Sequence, residues 1–198
     1  NREFELLGYK SVFYGQKSYN GVAILSPHEI EDTFVGFVNE DPDRGEDEQA
    51  RLIAATIKGV RVISAYVPNG TKVGSKNWNY KLDWMDRLRD NYLAELFDPA
   101  DDLLLCGDFN VAPTDEDVWA PDLWSNSIIC HDDVRSRLER ILEFGFTDTY
   151  RQHHPDKKGA YTWWDYTTGS LKKNKGVRID FILATDSMRQ RCSETWID

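Results

Sequence analysis

The stretch from Asp102 to Asp115 limits what this chain can fold into more than any other. Leu103, Leu104, Leu105 and Cys106 run without alternation, as expected of a strand buried on both faces of a sheet packed between layers. Gly107 stops the run. Asp108 and Asn110 follow two apart, so in an extended chain they point the same way, a carboxylate beside a carboxamide at the carboxyl end of a central strand. Pro113 and Thr114 then force a turn. Sites in layered α/β folds collect at such strand ends. A carboxylate can hold or activate a hydrolytic water, and an amide can orient that water or an attacked oxygen without changing charge. A plain strand end closed by an Asx turn has the same pattern, so the choice depends on the rest of the chain.

The surrounding segments read as alternating strands and helices. Tyr9 to Tyr14 and Gly21 to Leu25 are strand-like, with Gly15 to Asn20 as a polar turn. A Pro-, Gly- and acid-rich loop covers 41–47. Arg51 to Ile57 and Gly59 to Tyr66 are β-rich runs joined by a hairpin turn at Lys58-Gly59, with Arg51 opening the first. Tyr66 closes the second, and Pro68-Asn69-Gly70 turns sharply. From Asn77 to Phe97, Trp84, Met85, Leu88, Tyr92 and Leu96 recur at helical spacing as a core stripe. Lys81, Asp83, Asp86, Arg87 and Arg89 are interleaved with them. Asp132 or Asp133 caps a second helix that carries Val134, Leu138, Ile141 and Leu142 and closes at Gly145. Strand, helix, strand is the order of a layered α/β fold.

Between these lie segments with two readings each. Asp115 to Cys130 is long and irregular, with Trp119 and Trp124, and is either a functional surface or a packed flap. Tyr161 to Tyr166 holds four aromatics in six residues, so one strand face can be core and the other a pocket. Lys172, Lys173 and Lys175 follow in a loop, where basic groups beside aromatics suit a phosphate backbone. Asp180 falls inside the apolar pattern of a buried strand, Arg178 to Ala184, where a carboxylate is costly without a partner.

Composition narrows the class. With 198 residues, 40% hydrophobic and 29% charged, the chain suits one globular domain, not a disordered or membrane protein. No apolar run approaches a membrane span, and no signal peptide is expected. Cys106, Cys130 and Cys192 are odd in number and widely spaced, which excludes a disulfide framework and fits a reducing compartment. A net charge of −10 argues against a nucleic-acid partner as a whole, but its distribution does not. Nine acids face one base from Glu29 to Glu48, whereas from Arg151 to Arg191 nine bases face four acids. A basic groove on an acidic body is therefore open. His28, His131, His153 and His154 have no partners at metal-ligand spacing.

Gly107 to Asp115 resembles the GD-[FLM]-N-x-[AS]-P-x-D signature of the endonuclease/exonuclease/phosphatase superfamily, and most of all its exodeoxyribonuclease III branch of abasic-site repair nucleases. Three more stretches resemble that branch in the same order. They are Gly15-Gln16-Lys17 with Gly21 to Leu25, then Ala65 to Gly70, then Arg178 to Leu183. The resemblance implies a two-sheet α/β sandwich of the deoxyribonuclease I type. It also implies one nuclease domain over 1–198, incomplete at both ends: the family's first strand-helix-strand, with its metal-binding Glu, and its final Ser-Asp-His strand have no counterpart here.

The activity implied is Mg²⁺-dependent, with Mn²⁺ as the alternative, cutting duplex DNA 5′ to abasic sites and trimming 3′ ends as a 3′-5′ exodeoxyribonuclease. Asp108 would hold or deprotonate the attacking water, and Asn110 and Tyr66 would bind the scissile phosphate. Asp108 and Asn110 would face the metal, and Asp180 matches the aspartate that orients the family's histidine. Arg51 and Asn69 match DNA-side residues, Trp163 an abasic-sugar pocket, and Lys173 lies on the backbone-binding loop. A cytoplasmic monomer with no membrane contact is expected. A phosphatase of the superfamily acting on inositol phosphates or sphingomyelin, or a catalytically inactive DNA-binding protein of this fold, are the alternatives.

Overall fold

A computed structural model describes residues 2–37 and 49–198 of the chain; the acidic loop expected at 41–47 lies outside them. Ten strands occur among the described residues: β1 (Lys10–Gly15), β2 (Gly21–Ser26), β3 (Glu31–Val35), β4 (Leu52–Ile57), β5 (Val60–Tyr66), β6 (Leu103–Asp108), β7 (Thr147–Asp148), β8 (Trp163–Trp164), β9 (Gly176–Val177) and β10 (Asp180–Ala184). Six of them form one sheet in the order β3-β4-β5-β6-β10-β7. Only β5 and β6 run parallel within it; the other neighbours are antiparallel. That parallel pair needs a crossover, and the helical segment from Lys76 to Leu96 supplies it.

The crossover helix starts where Ser75 accepts a hydrogen bond from the Trp78 amide, an N-cap that satisfies one of the first-turn donors. After Arg87 the helix widens to a π turn over Leu88–Leu93, which brings Tyr92 and Leu93, adjacent in sequence, both into the core. The second helix, Asp132–Leu142, is capped by the His131 ring, which accepts from the Asp133 amide, and not by Asp132 or Asp133. Both helices cover one face of the sheet. Leu52, Ala54, Ile63, Ala65, Leu103, Leu105, Phe181 and Leu183 are buried there against Trp84, Met85, Leu88, Leu138 and Ile141.

On the other face, β1 and β2 form a hairpin whose Val22 and Ile24 pack on Ile53 and Ala55 of β4. Farther along, this face is open. Leu104 and Cys106 are half-buried and Ile182 is 51% exposed, so β6 is fully buried on its helix side only. The unbroken apolar run of β6 therefore serves one closed face and one partly open face. The Lys58-Gly59 turn forms as expected, with both residues at positive φ, the two-residue geometry that matches strand twist. No helix among the described residues is long and apolar enough to cross a membrane.

Candidate active site

Gly107 is what allows β6 to deliver Asp108 to the site. Its φ is +134°, and a Cβ there would lie 2.0 Å from the Ala65 carbonyl oxygen on β5. Only glycine fits that approach. Asp108 then has Tyr66 beside it on the parallel strand and Asp180 opposite it on β10. Asn110 turns the chain with φ +50°, a left-handed conformation that Asn tolerates. In this turn it holds both carboxylate oxygens of Asp108, one by its backbone N–H at 2.8 Å and one by its side-chain amide at 3.2 Å. The Asn110 amide also donates to the Val67 carbonyl at 2.9 Å, and its oxygen accepts from the Asn69 amide at 3.2 Å.

Burial pushes the Asp108 carboxyl up to about 6; Asp180 adds to the rise, while the Asn110 N–H, Lys81 and Arg51 oppose it. A carboxylate so placed is ionised at neutral pH yet basic enough to take a proton from water. Asp180 is open to solvent, contrary to the expectation of a buried strand position, because it begins β10 on the uncovered face. Partial withdrawal of water raises its carboxyl too, against a Thr162 hydroxyl bond.

Arg51 does not open a strand; β4 begins at Leu52. The guanidinium, 9% exposed, lies 4.6 Å over the Tyr66 ring and donates to the Tyr66 carbonyl and to Gln49. It props Tyr66 from one side, an arrangement that fixes the ring plane. Gln16, in the turn between β1 and β2, accepts from the Ala50 amide at 2.7 Å and ties that turn to the same place. Asn69 is exposed. Its side-chain oxygen accepts from the Thr71 amide while its NH₂ reaches Asn110.

The sequence reading sets Lys81 among the charged residues interleaved with the core stripe and gives it no role; in the structure it is fully buried. Its ammonium donates to the carbonyls of Asn110 and Ile128 at 2.7 Å each and of Asn69 at 3.2 Å. Burial lowers its pKa to about 7, opposed by Asp108 and Cys130. A signal was present: positions 78, 81, 85, 88 and 92 form one helical stripe, and the other four are buried and apolar.

The aromatic segment joins the site through Thr162, whose hydroxyl accepts the backbone N–H groups of Ile179 and Asp180 at 3.0 and 3.1 Å. Trp163 follows, 38% exposed, so it is not an ordinary core aromatic. With Trp119, Trp124, Lys173 and Lys175 it lines a cleft of about 340 Å³. Lys175 lies 4.3 Å over the Trp119 ring. Lys173 thus belongs to this cleft. Behind the cleft, Arg178 is buried with its Nε 2.7 Å from Asp117 and its Nη1 2.7 Å from Asp148, and Arg151 reaches Asp117 at 2.6 Å. Sixty-one residues separate Arg178 from Asp117, so no local pattern could announce the pair.

Two of the four histidines have structural places. His131 caps a helix and packs edge-on against Trp78, and His154 meets the Thr195 carbonyl. Among the described residues no three His, Cys, Asp or Glu side chains converge as a metal centre.

Comparison with known proteins places this fold. A model of the endonuclease/exonuclease/phosphatase family matches residues 2–198. An exodeoxyribonuclease of Bacillus subtilis is 32% identical over 182 residues, which cover 92% of this chain and 69% of that protein. The structure of an AP endonuclease from Archaeoglobus fulgidus superposes with a TM-score of 0.92 at 41% identity, covering 100% of this chain and 74% of that one. A Neisseria 3′ phosphatase bound to a product DNA hairpin superposes with a TM-score of 0.87 at 37% identity, covering 96% and 71%.

Proposed function

The chain belongs to the endonuclease/exonuclease/phosphatase family, as a nuclease of the exodeoxyribonuclease III type, and from that premise we propose that it hydrolyses duplex DNA 5′ to abasic sites and removes nucleotides from 3′ ends. The observation that carries this reading is the Asp108 carboxylate, clamped on both oxygens by Asn110 and flanked by Tyr66 and Asp180 at one end of the sheet.

In this reading Asp108 takes a proton from a water whose oxygen attacks phosphorus. The bond from phosphorus to the 3′ oxygen breaks, and that oxygen takes up a proton from solvent, to which Asp108 later releases the one it took. Asn110, with its amide already committed to Asp108 and Val67, orients the base more than it binds phosphate. Tyr66, propped by Arg51, and Asn69 are then the groups that meet the phosphate oxygens. Trp163 receives the abasic sugar, and Lys173 and Lys175 meet the backbone beside it.

A divalent cation suits the residues present. Asp108 and Asp180 are neighbouring carboxylates across β6 and β10 whose charges oppose each other, hard oxygens whose repulsion Lys81 and Arg51 offset only in part. Asp108 and Asn110 would hold Mg²⁺ or Mn²⁺, an ion that keeps most of its waters and needs few protein ligands. Bound there, it supplies charge stabilisation to the phosphoryl group. We take the protein to act as a cytoplasmic monomer.

The test is a labelled duplex with one abasic site, incubated with protein expressed from its complete reading frame, with Mg²⁺ or with EDTA. Incision 5′ to the site only with Mg²⁺ is expected. Salt-sensitive binding without cleavage in either buffer would overturn the reading in favour of a non-catalytic DNA-binding protein.

A further inference from the structure

We propose that Lys81 is a positioning residue for phosphodiester hydrolysis: its buried ammonium sets the spacing of the Asn69 and Asn110 amides by gathering the backbone of their two loops onto one charge. The proposal rests on the nuclease reading above.

An ammonium has three donors and no acceptor, and here each donor meets a carbonyl, from Asn69, Asn110 and Ile128. Those carbonyls belong to the loop after β5, the loop after β6 and the segment leading to the second helix. None of the three bonds is to a carboxylate; the carboxylate whose field reaches the lysine is Asp108. A charge without a bonded counter-ion is an expensive way to fill space on a helical stripe that is otherwise Trp78, Met85, Leu88 and Tyr92. An apolar side chain would fill that space without drawing carbonyls together.

The loop after β5 is shaped to accept the lysine. Gly70, at φ +90°, lies against the stem, and a Cβ there would stand 3.0 Å from the Lys81 Cδ. With the carbonyls of Asn69 and Asn110 both drawn to one nitrogen, their side chains meet each other at 3.2 Å. Asn110 in turn holds both oxygens of Asp108. The path from Lys81 to the reacting carboxylate is therefore two hydrogen-bonded steps through Asn110, or three by way of Asn69.

The experiment uses protein from the complete reading frame, Mg²⁺ and the abasic duplex, with single-turnover rate and DNA affinity measured separately. Lys81→Met should lower the cleavage rate at least 100-fold while affinity stays within threefold, and the ¹⁵N side-chain amide signals of Asn69 and Asn110 should shift or broaden. A folded Lys81→Met protein whose rate and amide signals match the parent would overturn the proposal, whatever happens to its Tm. In Lys81→Ala, n-propylammonium replaces the missing stem and charge and should restore at least tenfold in rate, whereas n-propanol should not. If either variant fails to fold, Lys81→Ala should regain its fold and amide signals with propylammonium alone; equal return with propanol would overturn the role of the charge. If the parent cuts no DNA, the nuclease reading fails, and the amide signals still decide the role of Lys81.

Discussion

Asp108 is poised by its surroundings for proton transfer at a cost in stability. A carboxyl raised from 3.8 to about 6, chiefly by burial, binds a proton in the folded state that the unfolded chain has released. Its contribution is therefore fully present below about pH 4 and lost as pH rises through 6. At pH 7.5, without divalent cations, Asp108→Asn should stabilise the protein by about 3 kcal/mol, since each tenfold difference in proton affinity between the folded and unfolded chain corresponds to about 1.4 kcal/mol. Calorimetry of parent and variant at pH 7.5 and pH 4 checks this: the gap should be positive at the first and close at the second. A variant less stable at pH 7.5 would show that Asp108 is held as a favourable anion.

Elements, in turn, are held in place by contacts that sequence reading reaches unevenly. The β4–β5 hairpin was legible because it depends on local backbone chemistry, positive φ at Lys58-Gly59. At the site the residue types Asp108 and Asn110 were legible but not their geometry, because Asn110 lies past β6 in a left-handed turn and not on an extended strand, and Gly107 is required by the Ala65 carbonyl of a neighbouring strand. The exposure of Asp180 was not legible, because it depends on which face of β10 is covered. The bonds between Arg178 and Asp117 and between Thr162 and Asp180 join segments that only tertiary folding brings together. Asp117→Ala should leave Arg178 buried without one of its two carboxylates and cost about 3–5 kcal/mol in denaturant melts. A loss under 1 kcal/mol would mean the ion cluster is dispensable. Trp163, half-open beside that cluster on β8, should behave otherwise. Trp163→Ala is expected to slow abasic incision at least tenfold with Tm within a few degrees, and equal damage to both would return it to the core.

At the scale of the whole molecule, charge separates by region. The chain carries −10 overall, yet Lys172, Lys173 and Lys175 cluster in one loop beside the aromatic cleft. Each lysine that neutralises a phosphate steepens the salt dependence of DNA affinity by about 0.9 in the log-log slope. Lys173→Ala should flatten that slope by nearly this amount, as read by fluorescence anisotropy across a salt series. An unchanged slope would place the DNA path elsewhere on the surface. The sheet order, with β5 and β6 parallel at its centre, brings Tyr66, Asn69, Asp108, Asn110 and Asp180 to one end from separate stretches of sequence. Four ordered motifs made that convergence legible, and the lysine beneath it was marked only by its place on the apolar stripe of Trp78, Met85, Leu88 and Tyr92.

The most direct test of this site is the single-turnover cleavage rate of Asp108→Asn on a duplex with one abasic site, with Mg²⁺ and protein from the complete reading frame. The rate should fall by at least about 10³-fold, within the range attributed to loss of a general base, while DNA affinity stays within threefold of the parent. A variant that cuts at near the parent rate would contradict the assignment of Asp108, and with it the location of the chemistry at the end of β6.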